Sequence, residues 1–197
     1  LEATREEWDH VVELGEKYGY RNAQATVIAP TGTIGLLMDC DTTGVEPEFS
    51  LIKWKKLAGG GYFKIINKSI EKALIKLGYD DLEIKEIIEH IMENGNIENA
   101  LHMKKEHLAV FDCANQNLGG KRFIDPIGHV KMMAAVQPFV SGAISKTVNM
   151  PNDVTVEDIM NLYIESWKMG VKNIAIYRDG CKVMQPYATS IKGEEKK

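Results

Sequence analysis

The run from Ala143 to Tyr177 constrains the fold more than any other part of the chain. Ala143-Ile144-Ser145-Lys146-Thr147-Val148-Asn149 alternates with the two-residue period of a strand, and Met150-Pro151 ends it. Thr155-Val156-Glu157-Asp158 has the spacing that caps a helix, and Val156, Ile159, Met160, Tyr163, Ile164 and Trp167 form an apolar stripe that stops at Gly170. Asn173-Ile174-Ala175-Ile176-Tyr177 then reads as a second strand. A strand, a crossover helix and a strand predict a right-handed βαβ unit, hence a parallel sheet with helices outside and an α/β fold.

The feature with chemical content lies upstream, in Ala25-Thr26-Val27-Ile28-Ala29-Pro30-Thr31-Gly32-Thr33-Ile34-Gly35. Ala25 to Ala29 is apolar and β-branched enough for a buried strand, which Pro30 ends by removing a donor. Thr31, Gly32, Thr33 and Gly35 supply two hydroxyls and two positions without a side chain, so consecutive backbone amides can converge on one anion. A helix starting at Ile34-Gly35-Leu36-Leu37-Met38 would turn its positive end to the same point. The pattern is neither a Walker loop nor a dinucleotide fingerprint. An ordinary strand-turn-helix connection rich in Thr and Gly is the alternative.

The rest of the chain supports globular folding. Its 197 residues are 44% hydrophobic and 26% charged, an ordinary globular balance, and the net charge of −4 gives no general reason to bind nucleic acid. No uncharged apolar run approaches the roughly 20 residues of a membrane span, and no secretory signal opens the chain. Cys40, Cys113 and Cys181 are odd in number and widely spaced, which suits reduced cytoplasmic thiols. Thr4-Arg5-Glu6-Glu7 predicts a capped helix with Trp8, Val11 and Val12 on one face, ending near Gly15 to Gly19. The absence of an initiating Met and the start inside this helical approach suggest a fragment or processed piece.

Asp39, Asp41 and Glu46 bring three carboxylates within eight residues, but the calcium-loop spacing is missing and Thr42-Thr43-Gly44 followed by Glu46-Pro47 is turn chemistry. Leu51 to Leu57 alternates in part around Trp54, and Gly59-Gly60-Gly61 breaks the chain. Residues 64–112 are helical in pattern. Ile70, Ala73, Leu74 and Leu77 follow a Ser69 cap, Ile84, Ile87, Ile88 and Ile91 follow Asp80-Asp81, and Gly78 and Gly95 are the stops. His90, His102 and His107 lack metal-ligand spacing, so no metal is expected. Cys113, after Phe111-Asp112, has no base or activating charge in sequence and reads as a small buried hydrophobe. Pro126 to Val140 is apolar nearly all round, as buried helices are. Arg178-Asp179-Gly180 turns out of the last strand, and 188–197 is a charged tail expected to be disordered.

Several runs together resemble one family. Ala29-Pro30-Thr31-Gly32-Thr33-Ile34-Gly35 is similar to the segment that grips substrate phosphates in ribonucleotide reductases. Four further runs resemble the adenosylcobalamin-dependent class of that family: Asp39 to Pro47, His107 to Ala114, Gly128 to Phe139 and Ser141 to Pro151. The match covers roughly residues 20 to 187, in order.

The resemblance implies the C-terminal portion of a ten-stranded α/β barrel of the ribonucleotide reductase type over residues 1–187, with an inserted helical hairpin at about 64–112. It also implies reduction of a ribonucleoside di- or triphosphate to the deoxyribonucleotide by radical chemistry. Adenosylcobalamin is the implied cofactor. The implied partners are the remaining N-terminal part of the reductase and a dithiol reductant, with no nucleic acid or membrane. This chain's implied share is substrate binding by Ala29, Pro30, Thr31, Gly32, Thr33 and Ile34. The family's radical-bearing cysteine lies in Asn-x-Cys-x-Glu, which none of the three cysteines satisfies, so no catalytic residue is assigned and the isolated chain is expected to be inactive. A Tyr-Tyr relay belongs to the classes that receive their radical from another subunit. Ala175-Ile176 stands at the matching place with a single Tyr177 after it, which favours a cofactor that makes its radical in the site. The rival expectation is a noncatalytic phosphate- or nucleotide-binding module built on the same half-fold.

Overall fold

The computed structural model describes residues 1–56 and 62–181 of the chain. Two hydrophobic cores organise them. The first belongs to residues 51–113. A hairpin of β1 (Ile52–Lys56) and β2 (Tyr62–Ile66) pairs antiparallel, Ile52 opposite Ile66. It feeds α3 (Ser69–Lys76), α4 (Asp81–Asn94) and a 3₁₀ helix (Lys105–Phe111). Leu74, Ile87 and Ile91 are completely buried together, with Ile70, Tyr79, Ile84, Ile97 and Phe111 around them. Each fully buried aliphatic side chain contributes about 1.5–3 kcal/mol relative to exposure.

The local signals explain these helices. Asp80 caps α4 by accepting from Glu83 N at 2.9 Å, while the Glu83 carboxylate accepts from Asp80 N at 3.0 Å. Gly95 ends the helix in the left-handed region at φ 78°. Two expectations change. Residues 64–66, the first of the stretch expected to be helical, belong instead to strand β2, because they find a partner in β1. The N-cap of α3 is Lys68, and Ser69, its first residue, instead donates its hydroxyl to Asp41 at 2.8 Å. The triple glycine lies outside the described residues, as does the Trp54 side chain.

The second core is the parallel unit. β3 (Thr147–Met150) pairs parallel with β4 (Ala175–Arg178), and α6 (Val156–Lys168) crosses between them. The Thr155 cap forms as its spacing predicts: the hydroxyl accepts from Asp158 N, and the Asp158 carboxylate accepts from Thr155 N at 2.8 Å. α5 (Pro126–Val136) starts with Pro126 behind the Asp125 cap and lies on β3. Val130, Met133, Ile144 and Val148 have no exposed surface.

This region departs from its sequence pattern in three places. Most of the stripe on α6 faces away from the core: Val156 is 85% and Trp167 76% exposed, while Ile159 packs against the core and Leu162 and Ser166 are buried. α5 is not enclosed all round, because Met132 and the following Phe139 are open to solvent. Residues 25–29 are not a buried strand. They run extended beside residues 141–145, with one parallel bridge between Ile28 and Ile144, and Ala25, Val27 and Ala29 remain exposed because nothing pairs with their other edge among the described residues. α1 (Glu2–Tyr18) forms, but Leu1 rather than Thr4 precedes it, no side chain caps it, and Trp8, Val11 and Val12 are exposed. Among the described residues no helix is long and apolar enough to cross a membrane.

Candidate functional site

The turn at Pro30 to Ile34 is positioned from both sides in sequence. Upstream, the Ser141 hydroxyl accepts from the amides of Ala25 and Thr26 at 2.8 and 2.9 Å, and Gly142 N donates to Thr26 O at 2.7 Å. A Cβ at Gly142 would stand 2.7 Å from Thr26 O, so this approach requires glycine. Ser145 N donates to Ile28 O at 2.9 Å and carries the pairing to the edge of the turn.

Thr31 then adopts φ 51°, an uncommon conformation for a β-branched residue, and α2 (Gly32–Leu37) begins at once. Gly35 N returns to Thr31 O at 2.7 Å. The amides of Gly32, Thr33 and Ile34 precede the first intrahelical bond and have no acceptor within the helix. Gly32, Thr33 and Ile34 are exposed, and a Cβ at Gly32 would meet nothing within 4 Å. Ala29 and Pro30 are also exposed, whereas Thr31 is half-buried. The six residues expected to act together therefore share one open turn.

Downstream, the Thr42–Pro47 loop folds back over the turn. A Cβ at Gly35 would lie 2.7 Å from Thr43 Cγ2, and one at Gly44, which has φ 56°, would lie 2.8 Å from Ala29 O and 3.5 Å from Thr31 Oγ1. The three carboxylates of this region do not converge on one point. Asp39 and Asp41 both engage the start of α3, through Lys68 and Ser69, whereas Glu46 turns away to β3. Among the described residues no three His, Cys, Asp or Glu side chains converge on a cation position.

Glu46 leads to an arrangement that sequence reasoning missed. Its Oε1 accepts from Thr147 N at 2.7 Å and its Oε2 from Lys146 Nζ at 2.9 Å. The Lys146 ammonium, on a residue only 3% exposed, also donates to His129 Nδ1 at 2.6 Å and to Thr147 O at 3.0 Å. Burial pushes the Lys146 pKa down, and Glu46 opposes the shift. His129 is fully buried, and burial followed by the Lys146 charge pushes it down to about 4. It is therefore neutral near pH 7. Because Nδ1 accepts from an ammonium, its proton sits on Nε2, which is buried near the Ile124 carbonyl but outside hydrogen-bonding geometry. One signal was present: Ile144, Lys146, Val148 and Met150 share the buried face at a period of two, so a lysine occupies a core position.

The remaining candidates are occupied otherwise. His107 shares a hydrogen bond with Tyr79 OH at 2.9 Å, His102 meets Glu86 at 2.7 Å, and His90 lies beside Asn94. Cys113 is 1% exposed, and burial, assisted by Glu48 and Asp112, pushes its thiol up to about 12. Asp112 itself is taken by a two-pronged pair with Arg122 at 2.7 Å on each oxygen. Cys113 is thus an inert core thiol, whereas Cys40 and Cys181 are exposed and unpaired.

Comparison with known proteins decides the family. The family model described as "Ribonucleotide reductase, barrel domain" matches residues 1–177. The chain belongs to the ribonucleotide reductase barrel-domain family. It is 57% identical over 194 residues to the vitamin B12-dependent ribonucleotide reductase of Streptomyces avermitilis, covering 98% of this chain and 20% of that protein. It is also 57% identical over 196 residues to the protein of the same name from Rhodopirellula baltica, covering 100% of this chain and 19% of that one. Among solved structures, the Actinobacillus ureae class Id ribonucleotide reductase alpha subunit matches with a TM-score of 0.54 at 21% identity, over 85% of this chain and 30% of that one. That likeness concerns the fold. The chain thus spans about a fifth of the length of these two reductase relatives.

Proposed function

We propose that the turn from Ala29 to Ile34 binds the terminal phosphates of a ribonucleotide substrate. The observation that carries this reading is the open face at Gly32. Three amides without intrahelical partners and the Thr33 hydroxyl are offered to solvent there, with no side chain on Gly32 to block an approaching oxygen. α2 has only six residues, so its dipole is small, and the individual N–H donors supply most of the attraction. No lysine enters the turn, and binding is therefore directional rather than a matter of bulk charge. Pro30 and the Thr31 conformation hold the donors in place before the ligand arrives, which lowers the ordering cost of binding.

The whole protein is read as a ribonucleotide reductase that makes deoxyribonucleotides, of which residues 1–187 are the C-terminal part of a ten-stranded barrel, 64–112 an insertion and 188–197 a tail. The names of its relatives support this, and they bring adenosylcobalamin as the group that generates the radical when bound. A cavity of about 980 Å³ between α1 and residues 137–141 is walled by Trp8, Tyr20 and Phe139. Nothing in its lining singles it out for that group, and no step is routed through the cofactor here. This chain has no Asn-x-Cys-x-Glu, which supports a radical-bearing cysteine elsewhere in the protein; a dithiol reductant is a further partner in this reading. Three unpaired cysteines agree with a reducing cytoplasm.

The test is substrate affinity in the full-length reductase. Gly32→Val should weaken ribonucleotide binding on the order of tenfold, about 1.4 kcal/mol, and Thr33→Ser should change it little because the hydroxyl survives. Equal and negligible effects of both substitutions would remove the phosphate reading of this turn, for a reductase and for a noncatalytic phosphate-binding module alike.

A further inference from the structure

We propose that Glu46 and Lys146 are positioning residues for the phosphate-binding turn, an inference that rests on the reading of that turn given above. The turn is poorly held by burial of its own. Ile34 and Leu37 of α2 are 65% and 82% exposed, so the described apolar side chains of the short helix do little to fix it by packing. What fixes it is the loop laid across it: Thr43 covers Gly35, and the Gly44 backbone closes on the carbonyls of Ala29 and Pro30.

That loop is fastened at both ends. At Asp41 it is tied to the helical region by Ser69 Oγ and by Lys53, whose ammonium donates to Asp41 O at 2.6 Å. At Glu46 it is tied to β3 by one backbone amide and one buried ammonium. The second tie is unusual in kind. A buried ion pair adds little net stability compared with apolar packing, but it accepts only one geometry. Lys146 fills its three donor positions with Glu46, His129 and Thr147 O, so the carboxylate has one place to sit. Only Val45 separates Glu46 from Gly44, so a shift of the carboxylate moves the backbone pressed against the turn.

The experiment measures two properties in the full-length reductase: melting temperature, and affinity for a ribonucleoside diphosphate together with competition by inorganic pyrophosphate. Lys146→Met should lower the melting temperature and weaken both ligands by the same factor, on the order of tenfold. Glu46→Gln, which keeps the shape and the acceptor for Thr147 N, should weaken both ligands less. The double variant discriminates positioning from plain stability, because removing both buried charges relieves the unpaired ion. Its melting temperature should recover while its affinity stays low. Affinity recovering in step with melting temperature, or unchanged affinity in a folded Lys146→Met or Glu46→Gln protein, would overturn the proposal. Gly32→Val run alongside separates the two readings. If it weakens both ligands and the Lys146 and Glu46 variants do not, only the positioning role fails, and if it has no effect, the phosphate reading itself fails.

Discussion

The two cores solve the burial problem differently. Residues 51–113 close on themselves: α3 and α4 turn their apolar stripes toward each other and the β1–β2 hairpin, leaving Leu74, Ile87 and Ile91 with no exposed surface. The parallel unit does not close. β3 pairs with β4, the preceding residues pair with Ile28, and Val156, Trp167 and Phe139 are more than three-quarters exposed. Parallel strands normally carry cover on both faces. Among the described residues the first region gathers a closed core, with Ile75, Leu82, Leu101 and Val110 left outside it, whereas the second leaves its largest apolar side chains in solvent beside its sheet.

The largest expected effects test this contrast directly. Ile87→Ala in the closed core should cost about 2–5 kcal/mol, as truncation of a fully buried aliphatic side chain does. Trp167→Ser on the open face should change the stability of the 197-residue chain by only about 0.5 kcal/mol. The same Trp167 substitution in the full-length reductase should cost several times more if further barrel elements cover it. Denaturant unfolding of the three variants and their two parents decides the matter. Equal Trp167 losses in the two contexts would mean that the face is open by design.

A smaller effect comes from the charge inside the open core, which has no counterpart in the closed one. His129 has its pKa pushed from 6.5 to about 4 by burial and by Lys146. The unfolded chain then binds the extra proton first, so stability is intact above pH 6.5 and falls as pH drops toward 4. At about 1.4 kcal/mol per pH unit the loss is limited to about 3 kcal/mol. His129→Leu should flatten the slope of stability against pH between 6.5 and 4, whatever it does to absolute stability. An unaltered slope would place the acid sensitivity elsewhere.

The same contrast explains what could be read in the sequence. In the closed region each helix has one apolar face, so Ile84, Ile87, Ile88 and Ile91 named their own core, and Asp80, Glu83 and Gly95 named both ends of α4. α6 was legible as an element, with its cap and its stop, but its packing face was not. The stripe of Val156, Ile159, Met160, Tyr163, Ile164 and Trp167 gives only Ile159 to the core, which otherwise takes Leu162 and Ser166. Periodicity reports that a face is apolar and says nothing of which neighbour is present. The turn from Pro30 to Ile34 was legible as a turn because Gly and Thr carry conformational information locally. The Glu46–Lys146–His129 cluster was not, because its members are brought together across 100 and 17 residues by the strand and helix they sit on.

The smallest predicted effect asks whether the two regions behave as one cooperative body. Each contains one capping box: Asp80 with Glu83 on α4, and Thr155 with Asp158 on α6. Both caps are exposed, so replacing either by Ala should remove about 1 kcal/mol, mainly through the lost bond to the third amide of the helix. The difference between them then lies in how far the effect spreads. Their cores share no residues, and the connections are mainly polar ones through the 39–48 loop, such as Glu48 with Lys53 and Glu46 with Lys146. Asp80→Ala should therefore speed amide hydrogen exchange in α4 about fivefold and leave α6 unchanged, and Thr155→Ala should do the reverse. Equal acceleration in both helices by either variant would show that opening one core opens the other, and that the polar loop transmits more than its few bonds suggest.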